Sequence, residues 1–313
     1  MERAVAMTTE LHTLARQGRS RPLSRVDPPA DSSGERSMFR ALRPFSLSAF
    51  FAAVLSTLCL VSAPSSAQAT ELTAAEIVAR SASNRTVQNS EQWMTMEIYD
   101  RNGRSRVRKI VSRVKEGADG VSKSHVEFVE PEDVSGVQFL TVENPKGEDM
   151  QWLFMPASGI LNQISGSTRR GSFMGSDFTF EDLSVGQAGD GDHTRQDDGT
   201  VTIGGKTIQT YVVSSVPKAE LKSAYTRIVS YIEKDRLIPR QILFYDKKGE
   251  NSKRMTILDV ALRGDVLVPM HTTMENLKRG TRTEVKVESV EVNVPAERLP
   301  DHRFTPEAMQ SEG

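Results

Sequence analysis

A period of two in the side chains recurs in short segments from residue 92 to residue 294, and it constrains this sequence more than any other feature. In the first segment Met94, Met96 and Ile98 alternate with other residue types, as expected for a strand whose two faces differ in solvation. The dipeptide Asn102-Gly103 follows, and Asn-Gly between strand-like runs is a strong hairpin signal. Strands over about 92–100 and 104–115 are therefore predicted to pair.

Similar segments follow along the chain, separated by turn signals such as Glu130-Pro131 and Gly204-Gly205. They lie at about 122–130, 136–143, 150–155, 201–204, 207–217, 225–234, 239–246, 253–262, 266–276 and 281–294. Their hairpin-length spacing favours an antiparallel meander over βαβ units. We predict a mainly β fold, a curved antiparallel sheet or incomplete β-barrel of about 11 strands with short helices covering the concave face, because large twisted sheets must curl.

One helix is predicted before the strands. Thr73 and Glu76 have the spacing of a capping box, in which the two side chains satisfy free N–H groups at a helix start. Ile77, Val78 and Ala82 then follow the helical period, so a short amphipathic helix is expected over about 73–86. We expect this helix, and a second element at residues 176–183, to lie in the mouth of the sheet.

An export signal is predicted ahead of the helix. Residues 45–63 are apolar and uncharged, and Arg40 and Arg43 precede them. The small residues of Ala67-Gln68-Ala69 then form a cleavage site, so we expect cleavage after Ala69 and a periplasmic protein. An uncleaved membrane anchor is the alternative.

Cleavage at this point would divide the chain into three parts. Residues 1–37 are polar and lack apolar periodicity, so they are expected to be disordered or a misassigned N-terminal extension. Residues 38–69 form the signal peptide, which Met38 opens at an ordinary length. Residues 70–313 form one binding domain, since no linker divides them.

Charge and cysteine content exclude several function classes. The formal net charge is −1, whereas domains that bind nucleic acid usually have a clear basic excess, so no nucleic-acid partner is expected. The only cysteine, Cys59, lies in the apolar run. The part of the chain after Ala69 therefore has no disulfide, thiolate metal site or cysteine nucleophile.

No catalytic motif is present, and the chain is predicted not to be an enzyme. The patterns G-x-S-x-G, H-E-x-x-H and G-x-G-x-x-G are missing from the sequence. The histidines after residue 69 lack ligand-like spacing, so we expect neither a metal nor another cofactor. They are His125, His193, His271 and His302. A lipid hydrolase is an open alternative that would need a Ser or Asp beside His125 or His271.

An apolar set is the first candidate for a binding site. Methionine adapts to irregular ligands, which suits a cavity for acyl chains, and ordinary core packing explains the same residues equally well. The predicted cavity residues are Met94, Met96, Ile98, Phe128, Phe139, Trp152, Phe154, Phe173, Phe178 and Phe180. The last three lie in a glycine-rich stretch at 171–183, where we expect them to be buried or to cover something.

A basic strand is the second candidate. Arg104, Arg106 and Arg108 fall on one face of the predicted strand. There they could meet phospholipid headgroups or an acidic partner. A solvated outer face is the alternative interpretation of the same three residues.

Several segments together carry a family resemblance. They are Ala74-Ala-Glu-Ile77, Gly136-Val-Gln-Phe-Leu-Thr141, Gln151-Trp-Leu-Phe-Met-Pro156, Gly175-Ser-Asp-Phe-Thr-Phe-Glu-Asp-Leu183, Tyr231-Ile-Glu-Lys-Asp235, Leu237-Ile-Pro-Arg240 and Phe244-Tyr-Asp-Lys-Lys-Gly249. Over about residues 73–307 the chain resembles the periplasmic outer-membrane lipoprotein-sorting (LolA-like) family, in particular its longer members. The resemblance implies an incomplete β-barrel whose concave, apolar face, covered by helices, holds acyl chains away from water.

The predicted function is that of a periplasmic carrier. It would shield the acyl chains of a lipoprotein or another lipid and hand them between envelope partners, an inner-membrane transporter or an outer-membrane acceptor. An accessory periplasmic subunit of an inner-membrane RND-type or lipid transporter is the alternative. The carrier is expected to be a monomer.

Overall fold

A computed structural model of the chain describes residues 71–85, 89–117, 119–184 and 191–311. All of them belong to one unit, Ala67–Gly313. The predictions for the extension, the signal peptide and cleavage after Ala69 lie outside the described residues. None of the helices within the described ranges combines the length and the hydropathy that a membrane crossing requires.

The predicted helix is present as α1, Ala74–Ser83. The Thr73 hydroxyl accepts a hydrogen bond from the Glu76 backbone N–H at 3.3 Å, and the Glu76 carboxylate accepts one from the Thr73 N–H at 2.8 Å. These reciprocal bonds confirm the capping box and satisfy N–H groups that have no partner inside the helix. Ala74 and Ile77 bury the apolar side of α1 against Val213 and Ile232.

Fourteen strands follow within the described residues. They are β1 (Asn89–Tyr99), β2 (Ser105–Glu116), β3 (Ser122–Glu130), β4 (Gln138–Val142), β5 (Met150–Met155), β6 (Ile160–Ile164), β7 (Gly191–Arg195), β8 (Gly199–Ile203), β9 (Lys206–Pro217), β10 (Arg227–Glu233), β11 (Pro239–Tyr245), β12 (Asn251–Arg263), β13 (Val266–Asn276) and β14 (Thr281–Val292). Two of them, β6 and β7, were not predicted, because their exposed or polar residues give no strong apolar alternation. A second helix, α2 (Pro306–Ser311), lies near the end of the chain.

The strands form one antiparallel sheet in the order β6-β5-β4-β3-β2-β1-β14-β13-β12-β11-β10-β9-β7, and β8 also pairs with β9. From β1 at the centre, the strands follow one another to the β6 edge. They resume at the opposite edge with β7 and return to the centre, where β14 pairs with β1. No pairing between described strands joins β6 to β7, so the sheet is open and not a closed barrel. The mainly β, open antiparallel architecture is as predicted, with more strands than the expected 11.

One face of the sheet can be followed through the register. Residues directly opposite each other on paired strands project to the same face. Such a row crosses eight strands, from β9 to β2, through Val213, Ser230, Ile242, Met255, Met274, Thr283, Ile98 and Arg106. We call this the inner face.

The sheet curls around the inner face. Residues 171–184, here called the inner segment, contact both sides of it: the Gln151 side chain of β5 donates to the Phe180 carbonyl at 2.9 Å, and the Lys253 ammonium of β12 donates to Asp182 at 2.7 Å. In a flat sheet β5 and β12 would lie roughly 34 Å apart, at about 4.8 Å per step. Phe180 and Asp182 span at most about 7 Å, so the two sides of the sheet bend toward each other.

The opposite, outer face is covered at one place by the end of the chain. Val294, Leu299, Phe304 and Met309 pack on Leu140 and Phe154, and Trp152 lies against the same cluster. Because neighbouring residues in a strand point to opposite faces, this cluster is separate from the one on the inner face. The C-terminal residues therefore form a second, smaller core.

Candidate functional site

The inner face of strands β1–β6 is filled by the inner segment; we call this region the filled half. The ring of Phe173 lies 5.1 Å from that of Phe139 and 5.7 Å from that of Phe128. Phe180 stacks at 5.6 Å from Phe139, and Phe178 is buried in the same cluster. Such aromatic contacts stabilise the segment beyond the area that they bury.

Asp177 fixes one end of the inner segment to β14. The backbone N–H of Asp177 donates to the Thr283 hydroxyl at 2.9 Å, and that hydroxyl donates in turn to the Asp177 carboxylate at 2.9 Å. Thr281 donates to the other carboxylate oxygen. The buried carboxylate thus has its partners on a single strand, which places the segment against the middle of the sheet.

Asp182 fixes the other end. Its carboxylate accepts hydrogen bonds from the Lys253 ammonium, the Tyr225 hydroxyl and the Thr179 backbone N–H, each at 2.7 Å. Burial, with the Asp182 charge beside it, raises the pKa of Tyr225 well above its ordinary value. Tyr225 therefore remains a hydrogen-bond donor at physiological pH.

Glu181 adds a second buried carboxyl group. It accepts from the Ser223 hydroxyl and from the Ala224 N–H at 2.8 Å. Burial raises the pKa of Glu181 despite these hydrogen bonds, because a desolvated carboxylate is disfavoured. The two neighbouring acids thus connect the inner segment to residues 223–225 and to β12.

Strands β9–β13 carry the other part of the inner face, which we call the open half. A cavity of about 190 Å³ lies there, between these strands, α1 and the inner segment. Its apolar lining consists of Val78, Tyr225, Ile228, Ile232, Pro239, Ile242, Phe244, Met255 and Met274. Its polar lining consists of Ser81, Arg85, Asp182, Ser184, Ser215 and Ser230.

The ten predicted cavity residues lie elsewhere. Eight of them pack in the main core cluster, which also includes Tyr225, Phe244 and Met274 of the open half: Met94, Met96, Ile98, Phe128, Phe139, Phe173, Phe178 and Phe180. Trp152 and Phe154 lie on the outer face, against the C-terminal residues. None of the ten lines the cavity of the open half, whose apolar residues come from α1 and from the segments predicted as strands at about 225–234, 239–246, 253–262 and 266–276.

The three predicted arginines have different surroundings. Arg104 is exposed and pairs with Asp100 at 2.8 Å in the β1–β2 turn. Arg108 is buried, donates to the Met174 carbonyl and lies over the Phe128 ring. Arg106 lines a polar depression of about 390 Å³, together with Arg104 and Arg279. Arg104 and Arg106 are therefore exposed beside this depression, Arg104 in its pair with Asp100, whereas Arg108 stabilises the filled half.

The histidines form no metal site: within the described ranges no group of three or more His, Cys, Asp or Glu side chains is arranged to hold an ion. His125 is buried beside Gln138 at 2.9 Å, and this burial lowers its pKa. His271 pairs with Glu284 at 3.3 Å. His193 contacts the Ser215 hydroxyl at 2.8 Å, beside a space of only about 20 Å³.

Comparisons with solved structures identify this fold. A DUF1329 family protein from Desulfovibrio piger is 26% identical, with a TM-score of 0.69 over 75% of this chain and 97% of that one. A domain described as an outer membrane lipoprotein-sorting protein, from Vibrio parahaemolyticus, is also 26% identical, with a TM-score of 0.69 over 76% and 98%. A LolA superfamily protein from Nitrosomonas europaea shares the fold at 16% identity, with a TM-score of 0.59 over 76% and 100%.

A family model described as an uncharacterized protein matches residues 120–311, which is more than half of the chain. The chain therefore belongs to the family that this model describes, and its fold is that of the LolA-like proteins. No curated protein sequence matches it. The LolA-like assignment agrees with the open antiparallel sheet and with the inner segment, whose GSDFTFEDL sequence carries the resemblance most specifically.

Proposed function

We propose that this LolA-like protein is a periplasmic carrier that holds an acyl chain of a lipid or lipoprotein in the open half of its inner face. The observation that supports this most directly is the cavity, which Val78, Ile242, Met255 and Met274 line at the centre of the curled sheet. Most of the residues that line this cavity are apolar. It suits a guest that is itself apolar.

The energetics of acyl transport agree with such a site. Each methylene removed from water is worth about 0.8 kcal/mol, so a free acyl chain cannot cross an aqueous compartment without a strong penalty. The carrier offsets that penalty by burial and passes the chain to a partner that binds it more favourably. No bond needs to be made or broken, which is why we propose a carrier and not an enzyme.

The size of the cavity limits the cargo. Its volume of about 190 Å³ lies below the 300–1,000 Å³ that is typical of pockets for drug-sized ligands. One chain therefore fits more readily than several chains side by side. A cargo with two or three chains would have to displace the inner segment, together with its contacts to Lys253, Tyr225 and Thr283.

The first experiment is native mass spectrometry of protein purified from the periplasm, followed by lipid extraction. We expect a bound acyl lipid in a reproducible fraction of the molecules. Protein that is consistently empty, and that also takes up no added fatty acid or lipoprotein, would contradict the proposal.

A pair of variants locates the binding site. Ile242→Trp places a large side chain in the cavity, while Leu243→Trp makes the same change one residue on, on the outer face. We expect Ile242→Trp to weaken acyl-chain binding about tenfold or more, equivalent to about 1.4 kcal/mol, and Leu243→Trp to leave it nearly unchanged. Equal effects of the two variants on binding would mean that the acyl chain lies elsewhere. Melting temperatures of both variants show whether each is folded.

A second candidate function is docking on an inner-membrane transporter, as an accessory subunit. The exposed guanidinium groups of Arg104 and Arg106 at the polar depression favour it. The double variant Arg104→Glu, Arg106→Glu should abolish capture of a transporter from envelope extracts, since reversed charges repel an acidic partner. Arg108 is left unchanged because it packs on Phe128. Unaltered capture would remove this surface from consideration.

A further inference from the structure

Two polar side chains at the end of α1 reach the cavity of the open half. Ser81 is one helical turn before Arg85, and both line the cavity. The Ser81 hydroxyl is buried and has no hydrogen-bond partner among the described residues. A buried hydroxyl without a partner is costly, and in a cavity wall it is a group that a ligand can satisfy.

The guanidinium of Arg85 is only partly used by the protein. Its Nε donates to the Ser81 carbonyl at 3.1 Å. No carboxylate of the described residues forms an ion pair with it, and neither terminal nitrogen has a hydrogen-bond partner there. The two terminal nitrogens form the fork that matches a carboxylate or a phosphate.

Asp182, the one acidic residue in the lining, is not available to Arg85. Its two oxygens are occupied by Lys253, Tyr225 and the Thr179 N–H. Burial lowers the pKa of Arg85, and no neighbouring charge counteracts this effect. The end of α1 offers Arg85 one carbonyl and a favourable dipole, but no full negative charge. Among the described residues, this partly buried cation therefore has no counter-ion.

We propose that Arg85, with Ser81 beside it, binds the anionic headgroup of a single-chain amphiphile whose hydrocarbon lies in the open half. This inference rests on the proposed carrier function and adds the chemical class of the cargo: one acyl chain that ends in a carboxylate or a phosphate. A forked cation beside an apolar wall is sufficient to recognise such a ligand.

The test compares three probes with the same chain: dodecanoate, dodecyl phosphate and dodecanol. Titration calorimetry on the purified chain should give tighter binding of at least one anion than of the alcohol, by about ten- to a hundredfold, the range expected for hydrogen bonds to a charged group. The preferred anion identifies the headgroup. In Arg85→Gln this preference should fall to near one, while dodecanol binds as before.

The outcomes separate this inference from the proposed function. If the anions and dodecanol bind equally well to the unaltered protein, or if Arg85→Gln keeps the preference, the assignment of Arg85 is wrong and the carrier function stands. If none of the three probes binds, both are wrong. Unchanged dodecanol binding by Arg85→Gln also shows that the variant is folded.

A charge-preserving variant distinguishes recognition from helix capping. Arg85→Lys keeps the cation but lacks the planar fork, so it should retain part of the preference for the anion. Ser81→Ala should weaken anion binding by a smaller factor than Arg85→Gln, since it removes one neutral hydrogen-bond donor. If Arg85→Lys loses the preference for the anion over dodecanol as fully as Arg85→Gln does, the positive charge has no role in recognition.

Discussion

In the filled half of the inner face, strands β1–β6 pack against Phe173, Phe178 and Phe180 of the inner segment. In the open half, strands β9–β13 present a similar apolar face, and α1 and the inner segment leave a cavity of about 190 Å³ above it. The two halves share one continuous sheet and one register. The difference lies in the covering elements: Phe173, Phe178 and Phe180 fill one half, whereas α1 and the end of the inner segment border a cavity in the other.

This difference shows how an open sheet can be stable and still enclose a cavity. The filled half provides the close packing that a folded domain requires. The open half leaves apolar surface exposed to a cavity, which costs stability that a ligand can restore. The buried contacts of Asp177 and Asp182 hold the boundary between the halves in place.

The largest effect should come from truncating the filling residues. Phe173→Ala is expected to lower the free energy of unfolding by about 3–5 kcal/mol, because Phe173 is fully buried among Phe128, Phe139 and Phe180. Ile242→Ala, at the cavity wall, should cost about 2 kcal/mol or less, since fewer contacts are lost there. Urea unfolding measures both, and equal losses would contradict the distinction between the halves.

The next effect concerns the boundary. Asp182→Ala should destabilise the protein by about 3 kcal/mol, because it leaves the buried Lys253 ammonium without its counter-ion. Asp198→Ala is the matched control: Asp198 pairs with Lys234 and Arg195 at the surface, and its loss should cost less than about 1 kcal/mol. Similar values for the two variants would show that the inner segment does not depend on Asp182.

The smallest effect is a change with pH. Since burial raises the folded-state pKa of Glu181 above its ordinary value of 4.5, its contribution to stability is fully present below pH 4.5 and is lost as the pH rises through the folded-state pKa. Glu181→Gln resembles the protonated form, so it should flatten this part of the pH dependence. Urea midpoints of both proteins between pH 4 and pH 8 test this. A variant whose midpoint changes with pH as steeply as that of the unaltered protein would contradict the prediction.

Much of the fold could be predicted because its signals are local. The capping box of Thr73 and Glu76 and the Asn102-Gly103 turn are local sequence signals, and both were identified. Strands β6 and β7 escaped prediction because polar or exposed edge residues carry no apolar alternation. The burial of Phe173, Phe178 and Phe180 was expected from their glycine-rich surroundings, and the structure shows all three buried.

The candidate site was harder to predict. Met96 and Met274 look alike in sequence, as methionines in alternating strands, but only Met274 lines the cavity. Arg104, Arg106 and Arg108 were treated as one surface, although Arg108 is buried against Phe128. Arg85 had no sequence signal at all, since its position depends on where α1 ends relative to β10 and β11.

The sequence by itself determined twelve of the described strands, the antiparallel connections, the leading helix and the LolA-like resemblance, because periodicity, turn residues and caps act over a few neighbouring positions. Only the tertiary structure decided which part of the inner face is filled and which part is open. That division depends on the inner segment, which contacts strands more than 100 residues away at Thr283 and about 70 residues away at Lys253. Such contacts follow from the curl of the sheet as a whole, and no local pattern specifies them.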